Sequence, residues 1–265
     1  MIGKGHSVKP ENEVAAILES GLAELHELMR KPPVKPGAVH RLRVASRRLR
    51  ALLGAFHPYL AVNPLEERLR ALSARYTGIR EMDVFRAQTL VPLHAVLPHA
   101  AGIAEVLTAL DEARKDALPQ AVESDFPAAS PASPMVVKNH PLPVIAEDFL
   151  TRHHRRLREA LRSVDLDDPA SFHRLRIRVK KLRYPAQSFA PLFAAPDTYL
   201  DRIIALQEAL GGLHDAAVGL PLLDRLPATA QTRAMIQGWL AHEASSWRQR
   251  FTKCAEDFRR VKPFW

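Results

Sequence analysis

Eleven residues, His40 to Arg50 (HRLRVASRRLR), hold five arginines and a histidine and no acid. A near copy, HRLRIRVKKLR, runs from His173 to Arg183. Arginine offers a planar fork of donors that fits phosphate oxygens in pairs, and lysine adds a compact point charge. Two such clusters suit the holding of a multiply charged anion.

On a helix, at about 100° per residue, His40, Arg43, Arg47 and Arg50 fall within an arc of roughly 80°. Leu42, Ala45, Leu49, Leu52, Leu53 and Phe56 fall on the opposite side, the expected core face. Arg41 and Arg48 flank the stripe. In the second copy His173, Arg176, Lys180 and Arg183 form the same stripe, and Leu175, Leu182 and Phe189 the same apolar face. Each copy is therefore a basic rail about three turns long, at about 5.4 Å per turn. Like charges at i,i+3 and i,i+4 destabilise an isolated helix by a few tenths of a kcal/mol per pair. Solvated helices normally cancel this with acids on the next turn, and neither copy has one. A solvated face is the usual meaning of a charge run, but such a face would not need the same His/Arg spacing twice.

The elements that must position these rails read as helical throughout, since apolar residues recur at three and four and strand-type alternation is nearly absent. Eight segments are expected: Glu11 to Lys31, the first rail to His57, Asn63 to Leu90, Leu97 to Leu118, Val144 to Val164, Asp167 to Leu192, Asp197 to Leu226, and Ala228 to Val261. Asn63, Pro64 and Glu66 form a capping box at the head of the third. Asp168 and Pro169 are an N-cap and first-turn proline for the sixth. Gly211-Gly212 is expected to interrupt the seventh. Residues Pro119 to Pro143 are rich in Pro, Ala and Ser and read as a linker.

The halves correspond in order. His173 lies 133 residues after His40, and His214 lies 134 residues after Arg80. Gly78-Ile79-Arg80-Glu81 thus matches Gly212-Leu213-His214-Asp215. Two motifs at nearly one offset point to an internal duplication. The expected architecture is all-α, two pseudo-symmetric four-helix bundles, with residues 1–118 and 144–265 as the repeats and 119–143 between them.

Lys and Arg number 38 against 29 Asp and Glu, a formal net charge of +9. That excess favours a polyanionic partner: nucleic acid, an anionic membrane or a phosphate polymer. Cys254 is the only cysteine. An intramolecular disulfide and a cysteine zinc site are thereby excluded, and a reducing cytoplasm is expected. No signal-type segment opens the chain, and no run of about 18 apolar residues would span a membrane. Gly3-Lys4-Gly5 lacks the spacing of a phosphate loop.

No set of carboxylates is spaced to hold the two metals that phosphoryl hydrolysis usually needs. No Ser/His/Asp arrangement stands out. His40 and His173 have three readings: a cap or core contact, a donor to phosphate when protonated, or a metal ligand. Neither has a local ligand partner, and no metal or other cofactor is expected. His153 and His154 point to two helix faces. Arg80 and His214 could extend the basic surface, with Glu81 and Asp215 orienting or neutralising arginines. Nucleic acid would usually require stacking aromatics or a base-reading helix. Among aromatics other than the histidines, only Phe172 and Tyr184 lie in or beside either rail. A smooth rail of cations suits linear polyphosphate, which has no bases to read.

The paired rail, with His40-Arg41-Leu42-Arg43-Val44, Arg47-Arg48-Leu49-Arg50, the repeat from His173 to Tyr184, and the Gly-x-[Arg/His]-[Glu/Asp] motifs, resembles the CHAD family. The resemblance covers nearly the whole chain. It implies two four-helix bundles that bind inorganic polyphosphate in a basic channel or groove without catalysis, in association with polyphosphate granules. It also implies a triphosphate tunnel (CYTH-type) enzyme as a partner class, while this chain has no such domain. Carried over by position, the implied phosphate contacts are His40, Arg43, Arg47, Arg48 and Arg50, then His173, Arg176, Lys180, Lys181 and Arg183, with Arg80 and His214 added. The alternatives from other classes are a nucleic-acid-binding module and a metal-dependent phosphohydrolase or metal-binding protein.

The sequence departs from the family pattern at three places. Pro185 follows Tyr184, where a kink or break is expected. Glu81 stands in place of aspartate. Arg178 stands where the first copy has Ala45, which would place charge towards the core side.

Overall fold

The computed structural model describes residues 10–61, 64–122 and 140–265, and these are α-helical with no strand among them. The first half contains α1 (Pro10–Met29), α2 (Pro36–Phe56), α3 (Leu65–Arg75), α4 (Thr77–Phe85), α5 (Val91–Val96) and α6 (Ala101–Val122). The second contains α7 (Leu142–Ser163), α8 (Pro169–Phe189), α9 (Asp197–Leu223) and α10 (Ala230–Arg260). In the first half α2 packs on α1, α3 and α4. In the second α8 packs on α7 and α9, and α9 on α10. This order fits two related halves. They meet where α2 lies on α8 and α4 lies on α9.

The two rails stand on their apolar sides. Leu42, Leu49, Leu52 and Phe56 of α2 are buried, as are Leu175, Leu182 and Phe189 of α8. Phe56 meets Phe189 edge to face, with ring centroids 5.7 Å apart, so the ends of the two rail helices share one core contact. Each such buried side chain contributes about 1.5–3 kcal/mol through the hydrophobic effect. That force holds the cationic stripes in place against their own repulsion.

Asp168 caps α8 as expected, accepting from the backbone N–H groups of Ala170 and Ser171. The capping role expected of Asn63 lies outside the described residues. The linker expected at Pro119 to Pro143 lies largely outside them too. Its first residues belong to α6, which runs on to Val122, and Leu142 and Pro143 open α7. Proline costs little in a helix's first turn, where no donor is needed.

Four local expectations are corrected. The helix expected from Asn63 to Leu90 turns at Tyr76 (φ −96°, ψ 9°), so that α3 and α4 are separate helices. A π-helical turn, Arg86–Leu90, then joins α4 to α5, with Pro92 inside the first turn of α5. Pro92 cannot donate into a regular helix, and the wider turn accommodates it. Gly211-Gly212 does not interrupt α9. A side chain at Gly212 would run into the Trp247 ring, so its absence lets α10 pack close. Packing there outweighs the roughly 1 kcal/mol cost of glycine in a helix.

Pro185 does not break α8 either, which continues to Phe189. Leu182, Tyr184, Ala186 and Phe189 are buried around it, and their burial offsets the roughly 3 kcal/mol penalty. Arg178 does not face the core. It is exposed and donates to the Arg156 backbone carbonyl at 3.1 Å, while Val179 takes the buried position.

Candidate functional site

The turn at Tyr76 decides what α4 can reach. It swings Arg80 and Glu81 onto the side of α2 that carries His40, Arg43 and Arg47, and brings α4 against α9. Arg43 secures this corner. It donates to the Ser73 carbonyl near the end of α3 and to Thr77 Oγ1 at 2.8 Å. A cation at a helix C-terminus satisfies free carbonyls and suits the helix dipole.

A cavity of about 560 Å³ lies between α2, α4, α8 and α9. It is lined by His40, Arg43, Arg47, Arg80, His173, Arg176, Lys180 and His214, eight of the twelve residues singled out from sequence. A second cavity, of about 720 Å³, takes in Arg47, His173, Arg176 and Lys180 again and adds Arg50 and Lys181. Four shared residues set the two cavities side by side along the seam of the halves.

The remaining two residues point elsewhere. Arg48 is exposed and pairs with Glu24 of α1 at 3.1 Å. Arg183 lines neither cavity; its guanidinium lies 5.5 Å from the Tyr184 ring centroid. The rail is therefore narrower than the arginine pattern suggests, because α2 and α8 each turn one edge of the stripe away from the groove.

The two histidine positions correspond. Arg80 and His40 are close enough to interact, and the rings of His173 and His214 lie 6.0 Å apart. Burial, followed by Arg80, Arg47 and Arg43, pulls His40 below its ordinary pKa. Burial, then Arg176 and Lys180, pushes His214 down to about 3. The His40 and His214 rings are neutral near pH 7.

The cations feel the same field. Burial and Arg47 lower Arg43 to about 10. Burial, then Arg47 and Arg176, lower Lys180 to about 6. Arg50 and Arg176 are also lowered, with burial the first cause. Acids temper but do not balance this. Glu81 and Asp215, both raised by burial, are drawn back down chiefly by Arg43 and Arg176 respectively. The acids that the rails lack are thus supplied by α4 and α9.

The second cavity is lined by seven arginines and lysines and by Glu66, which pairs with Arg70 at 3.5 Å, while Arg152 pairs with Asp148 of its own helix. Positive charge in this excess, partly withdrawn from water, needs an anion to stabilise it.

Several groove residues were not singled out from sequence. Arg70 and Arg152 line the second cavity from α3 and α7, and Gln88, Gln207 and Trp247 line the first. Arg70 and Arg152 belong to elements whose sequence shows no repeated spacing. Gln88 sits in the π-helical turn. The signal for Trp247 was the Gly211-Gly212 pair, which marks a close helix approach.

His153 and His154 play no part in the groove. His154 is buried, with Nδ1 2.9 Å from the Tyr199 hydroxyl, and burial lowers it to about 4. His153 packs on Phe149 with centroids 4.1 Å apart. Among the described residues no group of three or more His, Cys, Asp or Glu is placed to hold a metal ion. No described helix is long and apolar enough to cross a membrane.

A family model described as the CHAD domain matches residues 16–224. The chain belongs to the CHAD family. Its fold is similar to the crystal structure of the CHAD domain from the plant Ricinus communis, with a TM-score of 0.78 at 22% identity, over 98% of this chain and 95% of that one. It is also similar to PptA from Streptomyces chartreusis, with a TM-score of 0.67 at 18% identity, over 94% and 100% of the two chains. At these identities the likeness is one of fold. No curated protein sequence matches this CHAD chain. The family match spans both rails and both Gly-x-[Arg/His]-[Glu/Asp] motifs.

Proposed function

We propose that this CHAD chain binds inorganic polyphosphate along the groove between α2 and α8, as a non-catalytic binding protein. The observation that carries the reading is the sharing of Arg47, His173, Arg176 and Lys180 by two adjoining cavities. A continuous cationic path matches a linear polymer whose charged unit repeats at short intervals. Family membership supports the same ligand. The groove offers little to a base. Tyr184 is buried, and Trp247 is engaged by Gly212 on α9 and by Arg250, whose guanidinium lies 4.5 Å from its ring centroid.

Glu81 and Asp215 act in this reading as balancing charges that keep the arginines in place. The protein then acts in the cytoplasm at polyphosphate granules, and a CYTH-type enzyme is the partner class expected of the family. Competition at fixed salt tests the ligand. Long-chain polyphosphate should displace single-stranded and duplex nucleic acid of equal charge at far lower concentration. Log affinity should fall linearly and steeply with log salt as counterions are released. Equal affinities for the polymers, or a flat salt dependence, would contradict the proposal.

A further inference from the structure

Lys180 occupies the place where the two cavities join. Arg47 of α2 and Arg176 of α8 line the same walls. Among the described residues Lys180 makes no ion pair and no hydrogen bond; Asp215 acts on it only at longer range. The neighbouring Lys181 is exposed. A primary amine without a direct ion-pair partner, set among guanidinium groups that can hold a phosphate, is placed for chemistry as well as for binding.

We infer that Lys180 is an acylation site whose acyl donor is a small acyl phosphate captured in the groove. The arginines hold the phosphate end of the donor, which brings its carbonyl carbon to the Lys180 amine. The amine nitrogen attacks that carbon. A C–N bond forms, the carbonyl carbon–oxygen bond to phosphate breaks, and inorganic phosphate leaves with the proton that the nitrogen sheds. Neither oxidant nor metal is needed. The lowered pKa, about 6, supports the inference, because the amine is then largely uncharged and nucleophilic at neutral pH. The amide that results cannot be protonated, so acylation removes the amine that a bound polyanion would charge and weakens anion binding. The inference rests on the phosphate-binding reading above.

The test treats the full chain with acetyl phosphate, and in parallel with N-hydroxysuccinimidyl acetate, a neutral acylating reagent. Acetylation is counted at each lysine by peptide mass spectrometry. Polyphosphate binding is titrated on the same sample. With acetyl phosphate, Lys180 should react more than about tenfold faster than exposed lysines such as Lys181 and Lys253. Tripolyphosphate should suppress that reaction. Lys180→Arg, which keeps the charge, should erase the signal.

Acetylation by acetyl phosphate spread evenly over the lysines would overturn the inference. So would Lys180 that reacts with the neutral reagent alone, since the amine would then be free but not served by captured phosphate. If either result came with polyphosphate binding intact, the acylation idea alone would fall. Absent polyphosphate binding would remove the reading beneath it.

Discussion

Arg47 of α2 reaches across the seam to Tyr184 of α8, its guanidinium nitrogen 3.4 Å from the phenol oxygen. The residues are 137 positions apart in the chain; Arg47 lines both cavities and Tyr184 the second. Tyr184 thus aims the one arginine of α2 that serves the whole groove.

Tyr184→Phe keeps the buried ring and removes only the acceptor. Unfolding free energy should fall by no more than about 1 kcal/mol, the ordinary worth of one hydrogen bond. Polyphosphate affinity should drop several-fold, because Arg47 must then be ordered at the expense of binding. Chemical denaturation and titration calorimetry measure the two quantities. An unchanged affinity would show that Arg47 needs no aiming.

Binding should draw in a proton. Lys180, at about 6, is mostly neutral above that pH; burial, then Arg47 of α2, Arg176 of α8 and Arg43 of α2 lower it, and Asp215 of α9 raises it. A bound polyanion favours the charged amine and lifts its pKa. Affinity should therefore be greatest below about pH 6 and fall as pH rises, by up to about tenfold per unit. His40 adds to the gain at the acid end. Stability of the unligated chain should move the opposite way. Lys180 is protonated in the unfolded chain up to its ordinary pKa, so folding releases a proton and unligated stability declines as pH falls towards 6. Lys180→Arg should flatten both trends. Calorimetry in buffers of different ionisation enthalpy would count the proton directly.

The glycine pair on α9 separates packing from backbone freedom. A Cβ at Gly212 collides with the Trp247 ring, whereas one at Gly211 meets nothing within 4 Å. Gly212→Ala should cost about 1–3 kcal/mol through overpacking. Gly211→Ala should be neutral or stabilise by about 0.5–1 kcal/mol. Equal effects in a denaturation series would mean that α10 does not depend on the close approach.

What could be read from the chain was set by periodicity. Leu42, Leu49 and Phe56 recur at helical spacing and are buried as that spacing requires. His40, Arg43 and Arg47 share the opposite arc and line one cavity. Features that depend on partners distant in sequence were not legible. Pro185 and Gly212 lie within helices because neighbouring side chains outweigh their local cost. Arg48 flanks the stripe by its spacing and lines neither cavity, but its pairing with Glu24 of α1 is one that no local spacing encodes. Arg70 and Arg152 enter the groove because α3 and α7 flank it.

In the proposed function the residues shared by both cavities hold the polymer. Replacing Arg47, Arg176 and Lys180 together with glutamine, and titrating long-chain polyphosphate by calorimetry, tests it most directly. None of the three belongs to the buried apolar core, so far-ultraviolet circular dichroism should be unchanged. Each charged hydrogen bond is worth about 1.5–3 kcal/mol, so affinity should fall by at least about a thousandfold. Affinity within tenfold of the parent, with the helical spectrum intact, would contradict the account.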